Sequence, residues 1–327
     1  MNPLTDTNPH LPTDPDAEPS SQAFCIDGRD LWQWWQWARQ TAIAHAIDPH
    51  EADWLIQALT PLTRLELRLG TFQSVAAIVI AVDPAQLTHM WEQRLHQRVP
   101  VQYLAGKTTW RDFSLRVTPA VLIPRPETEL LIDLAQAACP HPEAAGHWAD
   151  LGTGSGAIAI GLATIFPQAT IHAVDVSPAA LAIARGNAAA YQLGDRIQFY
   201  QGNWLDPLNR FHGIPHGTLS GIVSNPPYIP SDTVLTLQPE VTQHEPHRAL
   251  DGGTDGLDCV RQLIAHAPEY LLPHGLWLVE LMAGQAPAIA QLLVEDGRYT
   301  QIHIHTDLAG MERFVSAQRR DDSGTCP

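Results

Sequence analysis

Asn225-Pro226-Pro227-Tyr228 is the segment of this chain whose residue types and order carry the most chemistry. Two prolines hold their φ angles and remove two N–H donors, so the backbone there offers carbonyl acceptors. An amide side chain precedes them and a phenol ring follows. Acceptors beside an aromatic face suit a planar NH2 group. Asn225 Oδ1 can accept one N–H, the Pro226 carbonyl the other, and Tyr228 can pack on the plane. A Pro-rich turn after a strand would account for Pro226 and Pro227, but not for the Asn and Tyr that flank them.

Upstream, Asp150-Leu151-Gly152-Thr153-Gly154-Ser155-Gly156 lies between an apolar run and a helical one. Glycines let backbone approach a ligand closely, and the helix that follows presents free N–H groups. Gly152, Gly154 and Ala157 satisfy a dinucleotide fingerprint. The tighter spacing of Gly152, Gly154 and Gly156 also serves around S-adenosylmethionine, and a purely structural turn is a third reading. Asp175 ends the next apolar segment, ATIHAVD, where a carboxylate can accept hydrogen bonds from both ribose hydroxyls of a nucleoside. Ser177 and Pro178 follow, so its charge also suits the start of a helix. These two features do not separate NAD from S-adenosylmethionine. The Asn-Pro-Pro-Tyr segment does, because hydride transfer has no use for acceptors aimed at an amino group.

The elements that must position these residues follow from periodicity. From His147 onward strands and helices alternate: HWADLG, ATIHAVDVS, RIQFYQGN, SGIVSNPPY and GLWLVELM read as strands, interleaved with helices such as AIAIGLATIF and PAALAIARGNAAAYQ. Two late strands, YTQIHIHTD and MERFVSAQR, finish the chain. Such alternation predicts an α/β fold, a parallel sheet with helices on both faces and its ligands at the carboxyl ends of the strands, where every motif above falls. Residues 27–100 have helical spacing instead, as in Leu31, Trp35, Ala38 and in Leu87, Trp91, Leu95 after Asp83-Pro84, with no competing strand pattern. They are expected to form a small helical domain, with Trp35 and at least one neighbouring Trp in its core. Residues 101–123 alternate like a β-hairpin linker with its turn at Arg111-Asp112, and Pro124-Arg125-Pro126 opens a helix running to about Ala138. Residues 1–26, rich in Pro, Asp, Ser and Thr, read as a disordered tail.

The formal net charge is −16, spread unevenly: residues 1–27 carry −5, residues 28–120 carry +1 and residues 121–327 carry −12. Phosphate contacts supply most nucleic-acid affinity, so an acidic C-terminal two-thirds argues against a direct nucleic-acid substrate. The longest apolar run, Val75 to Val82, is too short to span a bilayer, and the N-terminus has neither a basic start nor an apolar stretch. Four cysteines far apart predict neither a zinc site nor disulfides. His244-Glu245-Pro246-His247, and His303 with His305, lack a third ligand, so no metal is expected. The protein reads as cytoplasmic. Asp251-Gly252-Gly253-Thr254-Asp255-Gly256 is turn chemistry leading into a helix, read as a lid anchor.

Taken together, VQYLAG, TPAVLIPRPETELLID, DLGTGSGAIAI, NPPYI and EPHRALDGGTDGLD over about residues 97–318 resemble the peptide chain release factor glutamine methyltransferases. The resemblance implies a Rossmann-like class I S-adenosylmethionine-dependent methyltransferase sheet over residues 124–327, with the small helical domain recognising substrate. It implies transfer of a methyl group from S-adenosyl-L-methionine to the side-chain amide nitrogen of the Gln in the Gly-Gly-Gln motif of class I release factors, the partners expected. Residue by residue, Gly152, Thr153, Gly154, Ser155, Gly156 and Asp175 would hold the cofactor, and Trp204 would lie beside its adenine. Asn225 would touch cofactor and glutamine, and Asn225, Pro226, Pro227 and Tyr228 would clamp the amide, with Asn225, Pro226 and Tyr228 as the catalytic groups. Glu127 and Glu129 would lie near the substrate entrance. Two positions depart from the family pattern: Asn203 where Asp is usual, and Met282 where Gly is usual. The alternative is an amino-methyltransferase acting on adenine or guanine in DNA or RNA. A non-catalytic binding module retaining the fold is a further alternative, which the intact motifs oppose.

Overall fold

The computed structural model describes residues 24–139, 146–210 and 214–321. The expected N-terminal tail lies outside these residues up to 23. The chain divides into two compact units, one ending at Trp91 and the other beginning at Glu92. The division falls inside the helix Pro84–Gln97, not at the expected residue 100.

The first unit contains the helices Gly28–Ala44, His50–Leu59 and Arg64–Leu69. Asp27 caps the first by accepting from the Arg29 N–H at 2.8 Å, and Thr63 with Glu66 forms a capping box on the third. Two strands also occur, β1 (Phe24–Ile26) and β2 (Ile78–Ile80), paired antiparallel. This corrects both the purely helical reading and the extent of the tail. Three-residue strands separated by about fifty residues leave no alternation long enough to read. The Trp cluster also departs from expectation. Leu31, Ala38 and Ala42 are the buried residues of that helix face, while Trp35 is only half-buried. Its indole Nε1 donates to Asp53 Oδ1 at 2.6 Å, and the Arg39 guanidinium lies 5.2 Å from its ring centroid. The fully buried Trp91 donates to the Thr41 hydroxyl at 3.0 Å.

In the second unit, VQYLA forms a short helix, Val101–Ala105, and not the first arm of a hairpin. Gly106 ends it in the left-handed region. The hairpin itself is β3 (Lys107–Trp110) and β4 (Phe113–Arg116), turning at Arg111-Asp112 as expected. The main sheet has seven strands: β5 (His147–Leu151), β6 (Thr170–Asp175), β7 (Ile197–Gln201), β8 (Leu219–Ser224), β9 (Leu271–Glu280), β10 (Tyr299–Thr306) and β11 (Glu312–Arg319), in the order β10-β11-β9-β8-β5-β6-β7. The strands β5 to β9 run parallel, but β11 is antiparallel to both its neighbours. The wholly parallel sheet is therefore corrected to a mixed one. The five residues between β10 and β11 allow only a hairpin, because a parallel return needs a long crossover.

Alternating side chains feed two cores. Trp148 and Phe314 pack under the helices Leu130–Ala138 and Ala157–Ile165 on one face. Leu151, Trp277 and Val315 pack under Asp258–Tyr270 and Ala286–Asp296 on the other. Order reverses between β5 and β8, which diverge in sequence but lie side by side. Their carboxyl ends bring Gly152 and Asn225 to one crevice, the usual ligand position in open α/β sheets.

Candidate active site

The glycine turn follows β5 and is shaped by two carboxylates. Asp175 Oδ2 accepts from the Gly154 N–H at 2.9 Å, and its Oδ1 from the Ser177 N–H at 2.8 Å. Asp150 is fully buried and its Oδ2 accepts from the Thr153 hydroxyl at 2.6 Å and the Ala159 N–H at 2.9 Å. Burial pushes the Asp150 carboxyl up to about 7, with Asp175 adding repulsion and the two hydrogen bonds opposing. Gly152 and Gly156 both have left-handed φ, 77° and 83°. A Cβ on Gly152 would lie 3.7 Å from the Trp204 ring, and one on Gly156 would press on Ala184 at 3.1 Å. The first glycine thus keeps a cradle open and the second lets two helices approach.

Gly152, Thr153, Gly154, Ser155, Asp175 and Trp204 line one cavity of about 340 Å³, together with Asn225 and Pro227. Gly156 stands behind it, holding the turn. The lining offers backbone around the glycine turn, a carboxylate at Asp175 and apolar surface from Val176 and Trp204, which fits the amino-acid, ribose and base parts of S-adenosylmethionine. Asn203 lines the same cavity.

Asn225 begins the loop after β8. Its Nδ2 donates to the Thr128 hydroxyl at 3.2 Å, which leaves Oδ1 as the acceptor. A second, smaller cavity of about 140 Å³ is lined by Arg125, Asn225, Tyr228 and Leu237. Leu122, Asn225 and Ala249 line both cavities, so the two meet at Asn225. Pro226 is buried and lines neither cavity. Tyr228 donates its hydroxyl to Glu280 Oε1 at 3.1 Å, and burial beside that carboxylate raises the phenol above its ordinary range. The tyrosine is thus tied by its polar end.

The loop backbone is braced from below. Gln285 Nε2 donates to the Tyr228 carbonyl at 2.9 Å. A Cβ on Gly252 would lie 2.7 Å from the Pro227 carbonyl, so the Asp251–Gly256 turn packs directly on the loop. Asp251 accepts from the Ser231 hydroxyl at 2.7 Å. This turn braces the Asn-Pro-Pro-Tyr segment, a more specific role than anchoring a lid. Arg125 pairs with the buried Glu245 at 2.6 Å at the mouth of the smaller cavity.

Of the two acids near the Pro-Arg-Pro turn, Glu129 accepts from the Arg111 N–H at 2.8 Å and anchors the hairpin, while Glu127 is exposed. The residue between them, Thr128, is the one that touches Asn225. A signal for it existed: in a tight 3-10 turn every third residue shares a face, and Leu131 is buried. Glu280 and Gln285 had no local signal. Among the described residues no group of three or more His, Cys, Asp or Glu is placed to hold a metal, and no helix is long and apolar enough to cross a membrane.

The Methyltransferase small domain family matches residues 126–244. The release factor glutamine methyltransferase of Synechocystis sp. is 53% identical over 296 residues, 90% of this chain and 97% of that one. Its counterpart in Thermosynechococcus vestitus is 48% identical, over 90% of this chain and 99% of that one. Among solved structures, the hMettl16 catalytic domain superposes with a TM-score of 0.52 at 16% identity, covering 74% of this chain and 83% of that one, which supports the class I methyltransferase fold. At 53% and 48% identity over 90% of its length to these two relatives, this chain belongs to the release factor glutamine methyltransferases.

Proposed function

We propose that this enzyme methylates the side-chain amide nitrogen of the glutamine in the Gly-Gly-Gln motif of class I release factors, with S-adenosylmethionine as donor. The observation that carries the reading is that a larger and a smaller cavity share Asn225, whose Nδ2 is engaged by Thr128. The larger suits the donor and the smaller a glutamine side chain. The names of the relatives support the same substrate.

Gly152, Thr153, Gly154, Ser155 and Asp175 would hold the donor, with Trp204 beside its base; bound there, it supplies an already activated methyl group. An amide nitrogen is a poor nucleophile because its lone pair is delocalised into the carbonyl. Asn225 Oδ1 and the Pro226 carbonyl accept its two N–H groups, orient the nitrogen and favour partial pyramidalisation as charge develops. Tyr228 bounds the amide plane, and its hydroxyl is committed to Glu280. Fixing the amide in the smaller cavity replaces a bimolecular search with a positioned one. No side chain need act as general base, because the proton is acidic once the nitrogen is alkylated and can pass to water.

The first unit is the part we assign to gripping the release factor, since a lone glutamine offers too few atoms for selectivity. Within it, residues 28–91 carry four basic and six acidic side chains, for −2, against −12 for residues 121–327. A chain lacking residues 24–83 keeps the helix Pro84–Gln97, whose Arg94 pairs with Glu240. It should bind S-adenosylhomocysteine yet lose most of its rate on intact release factor.

The direct test incubates the purified enzyme with labelled S-adenosylmethionine and either release factor, the same factor with Gly-Gly-Glu in place of Gly-Gly-Gln, DNA or RNA. Label on the unaltered factor alone, mapped to the glutamine by mass spectrometry, is the expected result. Label on nucleic acid would overturn it.

A further inference from the structure

A primary amide presents two N–H donors and a carbonyl acceptor. The groups assigned above to the substrate amide, Asn225 Oδ1 and the Pro226 carbonyl, both accept and so serve only the donors. The carbonyl oxygen of the glutamine needs a donor of its own, because a buried acceptor left unpaired weakens binding. The smaller cavity offers few. Leu122, Ile229, Leu237, Val241 and Leu250 give it aliphatic walls. The main-chain N–H groups of Ile229, Leu237, Val241, Ala249 and Leu250 are bonded within the fold. Among the lining side chains, Asn225 Nδ2 is engaged with Thr128 and the Tyr228 hydroxyl with Glu280. Arg125 is the remaining lining side chain with N–H groups to give.

Arg125 is fixed at both ends. Its main-chain carbonyl accepts from the Trp110 indole at 3.0 Å and from the Thr128 N–H at 3.2 Å. One terminal nitrogen donates to Glu245 Oε2 at 2.6 Å, the one hydrogen bond of this side chain among the described residues. The Glu245 side chain is 2% exposed and that of Arg125 34% exposed, so the guanidinium is the accessible half of the pair. A guanidinium carries five N–H groups in a rigid plane, so most of its donors stay open.

We infer that Arg125 is a substrate-binding residue which donates to the side-chain carbonyl of the glutamine while Asn225 and Pro226 hold its NH2. This inference rests on the proposed glutamine substrate. The two ends of the amide then act at different stages. In the ground state the nitrogen lone pair is delocalised and the oxygen carries negative charge. As the lone pair turns to the methyl carbon, that charge drains from the oxygen. The Arg125 hydrogen bond is strongest before transfer, so it favours binding and does not speed the chemical step. The contacts to the NH2 do the reverse, strengthening as its N–H groups become acidic.

Single-turnover kinetics separates these roles, read as the rate at saturating release factor and the factor concentration that gives half of it. Arg125→Met keeps the aliphatic stem and removes every donor. We expect the half-saturating concentration to rise about tenfold to a hundredfold, the scale for leaving a buried acceptor unpaired. The saturating rate should be equal or higher, and calorimetric affinity for S-adenosylhomocysteine should stay within about twofold, because the lost contact is to substrate in its ground state. The competing account is that Arg125 serves only Glu245, whose buried carboxyl Arg125→Met leaves without its partner. Arg125→Met combined with Glu245→Leu removes both polar ends and strands neither. The double variant should need as much release factor as Arg125→Met alone. Recovery of the half-saturating concentration in the double variant would overturn the inference. So would a fall in saturating rate at unchanged half-saturation in Arg125→Met, or no change in either measure, which would leave the oxygen to the main chain. Should Arg125→Met not fold, the double variant takes its place. Failure of the underlying reading looks different: the unaltered enzyme would then not label glutamine at all.

Discussion

Replacing Gly152 and Gly156 one at a time by alanine separates two jobs done by one turn. Both residues have left-handed φ, 77° and 83°, so each alanine bears the same backbone strain, roughly 1–2 kcal/mol. Their surroundings differ. At Gly156 the new Cβ would sit 3.1 Å from Ala184 Cβ and 3.2 Å from its Cα. Both atoms belong to the helix Pro178–Ala190 and cannot swing aside. Overpacking of that kind adds roughly 1–3 kcal/mol, so Gly156→Ala should cost about 2–5 kcal/mol in all. At Gly152 the nearest atom to the new Cβ is on the Trp204 ring at 3.7 Å, an ordinary contact. Gly152→Ala should therefore lose stability only by the backbone strain, yet its methyl enters the larger cavity. Urea denaturation of the two variants gives the stability difference, and calorimetry with S-adenosylhomocysteine gives the binding. We expect Gly156→Ala to be the less stable and Gly152→Ala to bind more weakly for its stability. Equal stabilities would refute the close helix approach. Unchanged binding by a folded Gly152→Ala would refute the cradle.

Asp175→Ala removes the acceptor of both the Gly154 and Ser177 N–H groups as well as the proposed ribose partner, and should weaken S-adenosylmethionine binding by about 1.5–3 kcal/mol; unchanged calorimetric affinity would remove the ribose assignment. Asn225→Ala deletes the acceptor where the two cavities meet and should lower single-turnover rate by about two to three orders of magnitude. A near-normal rate would make Asn225 a turn residue only. The raised pKa of Asp150, about 7 against an ordinary 3.8, means that the folded state holds a proton which the unfolded state gives up. That contribution to stability is complete below the unfolded value and is lost as pH rises through the folded one, at most about 4 kcal/mol. Urea midpoints followed from about pH 4 to about pH 8 should show this loss in the unaltered enzyme and not in Asp150→Asn; parallel pH curves would contradict it.

Most of the second unit was legible from sequence because its signals are local. All seven strands of the main sheet stand where alternation or an apolar run marks them, and the glycine turn, Asp175 and Asn225 stand at carboxyl ends of strands because βα alternation leaves few other places. The residue types at Asn225 to Tyr228 by themselves pointed to a planar amino group. What sequence could not decide were pairings between distant segments: β1 with β2, the antiparallel entry of β11, and the half-buried position of Trp35, whose indole is drawn to Asp53 eighteen residues away. The same holds for the site. Only folding brings Thr128 from one helix start to Asn225 after β8, and Glu280 from β9 to Tyr228 in the same loop, and no local pattern encodes either contact. Periodicity and propensity are properties of neighbours along the chain, so they determined the elements and the motifs. Which partner the half-buried Asn225 amide meets depends on which distant segment folds against it, and that was decided by tertiary structure alone.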